Sequence, residues 1–396
     1  MSTHLSDLIS ELDWPTPELE EWRYSRVGDL EVSAYQPASL ATSALPPEML
    51  AERDLLSSRA ATVLLRNGRV VSVDVDETYA AQGLRVGRAA EIDPAADTTV
   101  EAVDAFVQLN AAGADPVLVD VPRNLVVDRP VVVVHWVDED GALSLSRVVV
   151  RAGENSESSV IELTRGSADG GLVVPVTRID VAAAARLRHM SVQRLGPSVN
   201  QVGLNSAHVG QSADLKVGHV ALGGDYARLR FDSNLSGRGA TGTITALYAG
   251  DGTQMHDLRT FQRHTAPDTT SDLLFKGAVD DHAHAVYTGL IHITPEGRGT
   301  NATQSNRIIK LSPDAWAESV PNLEIEHNDV RCAHASTVGP IDPDQRFYLE
   351  SRGVRPDDAE RLVVLGFFAE VLATLPVGEL AEDLALSVVE KVGDPS

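Results

Sequence analysis

The segment Ala227-Arg-Leu-Arg-Phe-Asp232 decides the fold class of this chain, because apolar and charged side chains alternate along it. In an extended segment this two-residue period places the apolar residues on one face, which predicts a β-strand with one buried face. Other apolar or alternating runs follow on both sides of it, at 131–137, 146–152, 158–163, 172–181, 185–193, 215–222, 227–231, 243–249 and 270–275.

Amphipathic helix patterns are missing from this middle part of the chain, which begins near residue 117. Strands spaced about 10–15 residues apart with no helices between them predict an all-β sandwich, barrel or solenoid. The sequence shows no strict repeat that would select one of the three. The periodicity therefore leaves the β architecture open.

The first part of the chain has short helix and hairpin patterns. Residues 5–12 and 15–21 predict helices, and 98–112 carries one more short helical pattern. The Asn67-Gly68 pair lies between two β-rich runs and predicts a type I′ hairpin, since both residues accept positive φ angles. We assign residues 1–115 to an N-terminal helical region with a small hairpin.

Helix patterns return after residue 340. Asp342 is a favourable N-cap with Pro343 at the first helical position, and Gly353 marks the end of that helix. We therefore assign residues 116–335 to a β core and residues 336–396 to a C-terminal helical region.

Segment 362–375 is unusually apolar, with Glu370 as its single charged residue. A helix that is apolar all round cannot face water on any side. Two interpretations remain open for its cover. In the first, a partner protein covers the helix. In the second, residues 379–389 and the end of the β core cover it.

Charge and composition exclude several classes of protein. The 396 residues carry 33 basic and 57 acidic side chains, a net charge of −24, and the acidity is densest at the two ends. Such a chain repels the phosphates of nucleic acids. The single cysteine excludes an intramolecular disulfide. No run reaches the ~18 apolar residues of a membrane helix and residues 1–13 lack a secretory pattern, so we expect a soluble, cytoplasmic protein.

The segment Gly237-Arg-Gly239-Ala-Thr-Gly242 matches the glycine pattern of dinucleotide-binding sites. Such a site needs a helix after the glycines, whereas residues 243–248 have the pattern of another strand. A glycine-containing turn is therefore the better interpretation. The chain also lacks a P-loop pattern, so we predict no ATPase site of its own.

Histidine and cysteine supply two candidate metal pairs. His282 and His284 fall on one face of a predicted strand, but the glutamate of a cupin-type site is missing, and structural histidines are the alternative. Cys332 and His334 share one face if their segment is extended, and thiolate with imidazole is a typical soft-metal ligand pair. A buried, inert cysteine is the alternative for Cys332.

A series of segments in the last third of the chain forms a specific pattern: Ser271-Asp-Leu-Leu-Phe-Lys-Gly277, Thr300-Asn-Ala-Thr-Gln304-Ser-Asn306-Arg, Pro321-Asn-Leu-Glu-Ile325, Asp329-Val-Arg-Cys332-Ala-His334, Thr337-Val-Gly339 and Phe347-Tyr-Leu-Glu-Ser-Arg-Gly353. These segments, with Glu21-Trp-Arg-Tyr24 and Leu109-Asn-Ala111 upstream, closely resemble the SufB/SufD family of iron–sulfur cluster assembly proteins. The resemblance covers nearly the whole chain. It is closer to the SufD branch, because SufB-type chains typically carry several cysteines, including one where Leu349 stands here.

The resemblance implies a mainly β protein, in which a right-handed parallel β-helix core is flanked by N-terminal and C-terminal helical regions. It further implies a heterodimer with SufB through the β-helix and binding of the ATPase SufC to the C-terminal helices, with a homodimer as an alternative state of the chain alone. The residues expected at these partner surfaces are Phe347, Tyr348, Arg352, Leu362, Leu365, Phe367, Phe368 and Leu372.

From this resemblance we expect a non-enzymatic subunit of the SUF scaffold, with no catalytic residues and no tightly bound cofactor; the sequence does not bear on a flavin in the complex. An iron–sulfur cluster takes about four ligands, so one cysteine supplies only a minority of them. We expect Cys332 and His334 to hold iron or a nascent cluster transiently at an interface shared with SufB. Two alternatives stay open, a purely structural partner without metal contact and a β-helix carbohydrate-active enzyme.

Overall fold

The structure is a computed structural model that describes residues 2–39, 44–375 and 380–393, and most of its elements are β-strands. The helices are α1 (Ser2–Glu11), α2 (Pro47–Asp54), α3 (Glu77–Ala81), α4 (Ala89–Ile92), α5 (Ala105–Gly113), α6 (Pro343–Ser351), α7 (Pro356–Thr374) and α8 (Ala381–Gly393). The strands are β1 (Gln36–Pro37), β2 (Ala61–Arg66), β3 (Arg69–Val75), β4 (Arg85–Arg88), β5 (Val117–Val121), β6 (Val131–Val137), β7 (Ala142–Ala152), β8 (Glu157–Gly166), β9 (Gly171–Val181), β10 (Arg186–Arg194), β11 (Val199–Val209), β12 (Asp214–Ala221), β13 (Tyr226–Leu235), β14 (Thr241–Gly250), β15 (Met255–His264), β16 (Thr270–Val279), β17 (His284–Ile293), β18 (Asn301–Lys310), β19 (Trp316–Ile325) and β20 (Arg331–Pro340).

Strands β5–β20 form a parallel β-solenoid of about eight turns. The odd-numbered strands from β5 to β19 lie side by side in one sheet, called sheet A, and the even-numbered strands from β6 to β20 form sheet B. Each turn therefore contributes one strand to each sheet. This topology selects the solenoid among the three β architectures and confirms the parallel β-helix with helical regions at both ends.

The length of one turn varies along the solenoid. Gln201 pairs with Ala227 in the middle of the stack, whereas His284 pairs with Trp316 near its end, where the step in residue number between paired residues is larger. The strands keep their register while the connecting loops absorb the difference. A sequence search for a fixed repeat therefore finds none, although the structural repeat is regular.

The N-terminal hairpin extends the solenoid. β2 and β3 pair antiparallel around Asn67 and Gly68, which both have positive φ angles, so the predicted hairpin is confirmed. β2 also pairs in parallel with β6, which places the hairpin in sheet B. A Cβ on Gly68 would lie 2.5 Å from the carbonyl oxygen of Leu145, so this turn also needs glycine for space.

The other N-terminal predictions have mixed outcomes. α1 confirms the helix at 5–12, and α5 confirms the later part of the pattern at 98–112. The helix predicted at 15–21 is wrong, because only a single 3-10 turn forms, at Glu20–Trp22. Tertiary contacts fix the end of this segment on the outer face of sheet A: Arg228 donates a hydrogen bond to the carbonyl of Glu21 at 2.9 Å and stacks on the adjoining Trp22 ring at 3.8 Å.

The C-terminal helices pack on the outer face of sheet B. Asp342 caps α6 as predicted, accepting a hydrogen bond from the Asp344 amide, and Gly353 follows the helix with a φ of +89°. One side of α7 packs against α8 and sheet B, with Phe368 fully buried, whereas Leu362 on another side is 49% exposed. α8 and sheet B therefore cover one side of the helix, as the second interpretation predicts, and a partner protein on the exposed side stays a prediction. No helix of the described ranges is long and apolar enough to cross a membrane.

The interior of the solenoid contains polar groups that satisfy one another. His135 Nε2 and His189 Nε2 each lie 2.8 Å from a carboxylate oxygen of Glu162, and Thr177 donates to the same carboxylate. Burial alone would raise the pKa of Glu162, but these two histidines lower it below its usual range. The carboxylate is therefore held in its charged form inside the core.

Three other buried histidines are held in their neutral form. Burial lowers the pKa of His219 to about 3 and those of His256 and His264 to about 4, from an ordinary value of 6.5. His219 shares a hydrogen bond of 2.8 Å with Ser191, and His264 lies within hydrogen-bond distance of Thr269 and Ser271. These rings gain protons on unfolding at mildly acidic pH.

We expect the free energy of unfolding to be highest above about pH 6.5 and to fall between about pH 6.5 and pH 4, where the unfolded state binds more protons than the folded state. Denaturant titrations at a series of pH values measure this dependence. His219→Gln should make the dependence on pH shallower. His208→Gln, which changes an exposed histidine of β11, is the control and should leave it unchanged. An unchanged slope in His219→Gln would contradict the assignment.

Candidate metal site at the open end of the solenoid

The last turn of the solenoid is open. In sheet order β19 and β20 are terminal, and within the described chain no further strand pairs with them. The inward residues of β18, such as Ala302 and Asn306, are buried, whereas most residues of β20 are exposed. Unpaired edges of this kind offer backbone hydrogen-bonding groups to another chain.

Cys332 and His334 lie on the inward face of β20, and their segment is extended as predicted. Cys332 pairs with Ala302 of β18, and His334 pairs with Gln304. His334 thereby ends a column of stacked inward residues, one from each turn of sheet B: Val131, Val160, His189, Val217, Ile244, Leu273 and Gln304. The fold brings the two candidate ligands to the end of the core, side by side on one face.

The thiol of Cys332 is not activated in this arrangement. Cys332 is half-buried against Ile291, Ile293 and Ala302, and this burial raises the pKa of its thiol. His334 is exposed, and its side chain makes no hydrogen bond to the part of the chain that the structure describes. The pair therefore has the donor atoms of a soft-metal site. It lacks the hydrogen bond between imidazole and thiol that activates the cysteine in a nucleophilic cysteine–histidine pair.

A small polar network lies in the last two turns, two positions along β20 from His334. Asn306 Nδ2 donates to Ser319 Oγ at 2.8 Å, and Ser336 Oγ donates to the same oxygen at 2.6 Å. This small network joins β18, β19 and β20. Gln304, below His334, is 2% exposed. The open end thus combines these polar groups with the apolar residues Ile291, Ile293 and Ala302, which pack against Cys332.

A second group of metal-ligand residues lies on the outer face of sheet A. His292, Glu324 and Glu326 place one ligand atom each within 4.8 Å of one another, and His292 Nε2 lies 2.7 Å from Glu326 Oε1. His292 and Glu324 are paired across β17 and β19, although they belong to different turns of the solenoid. Sequence reasoning missed the group because no local spacing motif connects residues from two different turns.

Two other sequence motifs are explained by packing. His284 stacks beside Trp316 at 5.4 Å and His282 is exposed just before β17, and no third ligand joins them in the described ranges. The structural alternative therefore describes this pair better. The Gly237–Gly242 motif connects two strands, β13 and β14, as the turn interpretation predicts.

The residues expected at partner surfaces differ in their exposure in the structure. Phe347 is 70% exposed and Tyr348 is 58% exposed, and the guanidinium of Arg352 lies over the Tyr348 ring. Leu362 is also exposed, and Leu365, Phe367 and Leu372 are half-buried. Phe368 is fully buried between α7 and sheet B, so in this conformation it is not available to a partner.

The family model described as SUF system FeS cluster assembly, SufBD core domain, matches residues 135–367, which contain most of the solenoid and the start of the C-terminal helices. The chain belongs to this SufBD family. The match confirms the resemblance to the SufB/SufD family.

SufBD relatives match over most of the chain. An iron–sulfur cluster assembly SufBD family protein of Mycobacterium tuberculosis is 34% identical over 72% of this chain and 72% of its own length. The iron–sulfur cluster assembly protein SufD of Escherichia coli is 27% identical over 98% of this chain and 91% of its own length. SufD of Bacillus subtilis is 28% identical over 68% of this chain and 62% of its own length. Two of these relatives carry the name SufD, so the chain is a SufD-like member of the family.

The reactivity of Cys332 tests its surroundings directly, because the chain has only this cysteine to label. Since burial raises its pKa, we expect alkylation by iodoacetamide to increase with pH with a midpoint above the ~8.5 of a free cysteine. His334→Ala should leave this midpoint unchanged. A lower midpoint that moves upward in His334→Ala would show that the imidazole does activate the thiol.

Proposed function

We propose that the chain is a non-enzymatic subunit of the SUF scaffold that pairs with a SufB-type subunit through the open end of its solenoid. In that complex, Cys332 and His334 contribute to the transient binding of iron or a nascent cluster. The observation that supports this is the position of the pair, inward and side by side on a terminal strand whose outer edge is unpaired.

The number of ligands supports a shared site. An iron–sulfur cluster takes about four ligands, usually thiolates, and this chain has one cysteine. The remaining ligands must come from another molecule, and a second solenoid stacked on β19 and β20 would bring its own inward residues next to Cys332 and His334. The same stacking would cover the exposed end of the core.

The C-terminal helices are the proposed binding surface for the ATPase SufC. Phe347, Tyr348, Arg352 and Leu362 are exposed there on α6 and α7. The other side of α7 is fixed to sheet B by Lys276, which donates to the carbonyl of Phe367 and forms an ion pair with Glu370, both at 2.6 Å. A force on α7 would therefore act on sheet B.

The sheet connects this anchor with the last turn. Lys276 pairs with Arg307 of β18, and Arg307 pairs with Thr337 of β20. Two strand steps thus separate the residue that holds α7 from the strand that carries Cys332. We propose that ATP-driven movement of SufC remodels the shared interface along this path.

A purely structural partner is the second candidate. The raised pKa of Cys332 and the exposed, unbonded ring of His334 favour it, since neither group is prepared for chemistry in the chain alone. In that case the chain would stack on its SufB-type partner and recruit SufC without touching metal. The two candidate functions predict different rates of cluster formation when one of the proposed ligands is removed.

His334→Ala in the assembled complex separates these candidates. If His334 binds iron or a nascent cluster, cluster formation should fall about tenfold or more while the complex still assembles, because the side chain is exposed and its loss costs the fold little. Cluster formation is measured by absorbance and iron content. His282→Ala, at another exposed histidine, is the matched control. Full activity of His334→Ala, together with full activity after Cys332 is alkylated, would leave the structural role.

Lys276→Met tests the path from α7 to the sheet. The change removes two charge-assisted contacts and leaves Glu370, which is 55% exposed, to water, so we expect a loss of about 1–2 kcal/mol in stability. SufC should still bind, since the exposed side of the helices is unchanged, but ATP should stimulate cluster formation less. Lys216→Met, at an exposed lysine of the same sheet, is the control. Normal stimulation by ATP in Lys276→Met would contradict the path.

A further inference from the structure

Gln304 is a buried polar side chain whose hydrogen-bonding groups are not used. It lies on the inward face of β18 and is 2% exposed. Neither its amide oxygen nor its amide nitrogen has a partner among the residues that the structure describes. Buried amides are normally paired, so an unpaired one needs an explanation.

The space for this amide comes from a glycine of the opposite sheet, sheet A. A Cβ on Gly289 of β17 would lie 2.5 Å from Gln304 Nε2 and 2.6 Å from Oε1. Any side chain at position 289 would therefore displace the amide. Gly289 pairs with Pro321 of β19, which belongs to the last turn. The amide thus spans the interior one turn below the open end.

The register places Gln304 directly below the candidate metal ligand. Gln304 and His334 are paired residues of β18 and β20, and both point inward. Neighbouring strands lie about 4.8 Å apart, within the reach of a glutamine side chain. The two side chains therefore start from adjacent positions of the same column, and no hydrogen bond joins them in this structure.

We propose that Gln304 is a positioning residue of the metal site: its amide oxygen accepts the N–H of one ring nitrogen of His334 while the other ring nitrogen binds the metal ion. This inference rests on the proposed role of His334. Metal-binding histidines usually donate their second N–H to an oxygen, which fixes the tautomer and the orientation of the ring. Gln304 supplies that oxygen from a position that the fold already fixes.

The test is a Co²⁺ titration of the complex between the full chain and its SufB-type partner, with substitutions in this chain only. Gln304→Leu removes the acceptor and should weaken the His334-dependent binding by about 10–100-fold. Gln304→Glu keeps an acceptor oxygen and should retain the affinity. The control is Gln262→Leu, because Gln262 is also fully buried with an unpaired amide but pairs with Ile291, outside the His334 column. Thermal unfolding of all variants records any purely structural effect.

The outcomes separate the two proposals. Equal binding by wild type and His334→Ala would overturn the metal role of His334, and the inference with it. A loss in His334→Ala with equal binding by Gln304→Leu and Gln262→Leu would overturn the role of Gln304 alone. A loss in Gln304→Leu that Gln304→Glu restores, at similar thermal stability, supports the inference.

Discussion

Parallel hydrogen bonding between successive turns is the constraint on which the whole structure depends. Every strand from β7 to β18 has a neighbour on both sides, so its backbone groups are satisfied and its inward residues stack on those of the next turn. The last turn has a neighbour on one side only. The half-burial of Cys332 and the exposure of His334 therefore result from where the stack ends, and not from any local feature of their sequence.

The polar interior restricts the register of this stack. His135 and His189 from neighbouring turns hold the carboxylate of Glu162. The Tyr248 hydroxyl donates to Asn306 Oδ1 at 3.2 Å, and the Thr260 and Tyr287 hydroxyl oxygens lie 3.0 Å apart. A shift of one strand by one residue would turn each of these groups to the wrong face and leave a buried polar atom unpaired. The paired interior groups thus specify the alignment of the turns. Gln304 differs from them in having no partner within its own chain as described.

The sequence predicts the strands well and their arrangement poorly. Alternation along single strands, the Asn67-Gly68 hairpin and the Asp342 cap are local signals, and all three agree with the structure. The solenoid follows from no local pattern, because its turns differ in length, and only the family resemblance predicted it. The helix expected at 15–21 does not form, and the end of that segment is held by Arg228, which comes from a strand in the middle of the solenoid, far away along the chain.

At the candidate site, too, the sequence predicts what is local and does not predict what depends on contacts between turns. Cys332 and His334 are two positions apart, so an extended segment is enough to predict that they share a face. Gln304, Gly289 and the group around His292 come together only through the register of different turns. Spacing rules do not find such residues, because the number of residues between them in the sequence depends on loop lengths that vary from turn to turn. The signal that connects them is the hydrogen-bond register itself.

The two ends of the solenoid differ in a way that favours one partner surface. At the first end, β3 and β4 pair antiparallel with their neighbours, and Val70, Tyr79 and Leu84 fill the interior with apolar side chains. At the last end the inward face of β20 carries His334 and Ser336, which are exposed, and Cys332, which is half-buried. Apolar residues thus close the first end within the chain itself, whereas the last turn leaves its edge and His334 open to another chain. α7 packs on β14 and β16, whereas Asp383 of α8 pairs with Arg165 of β8 and Arg194 of β10, so the C-terminal helices are tied to both halves of the stack.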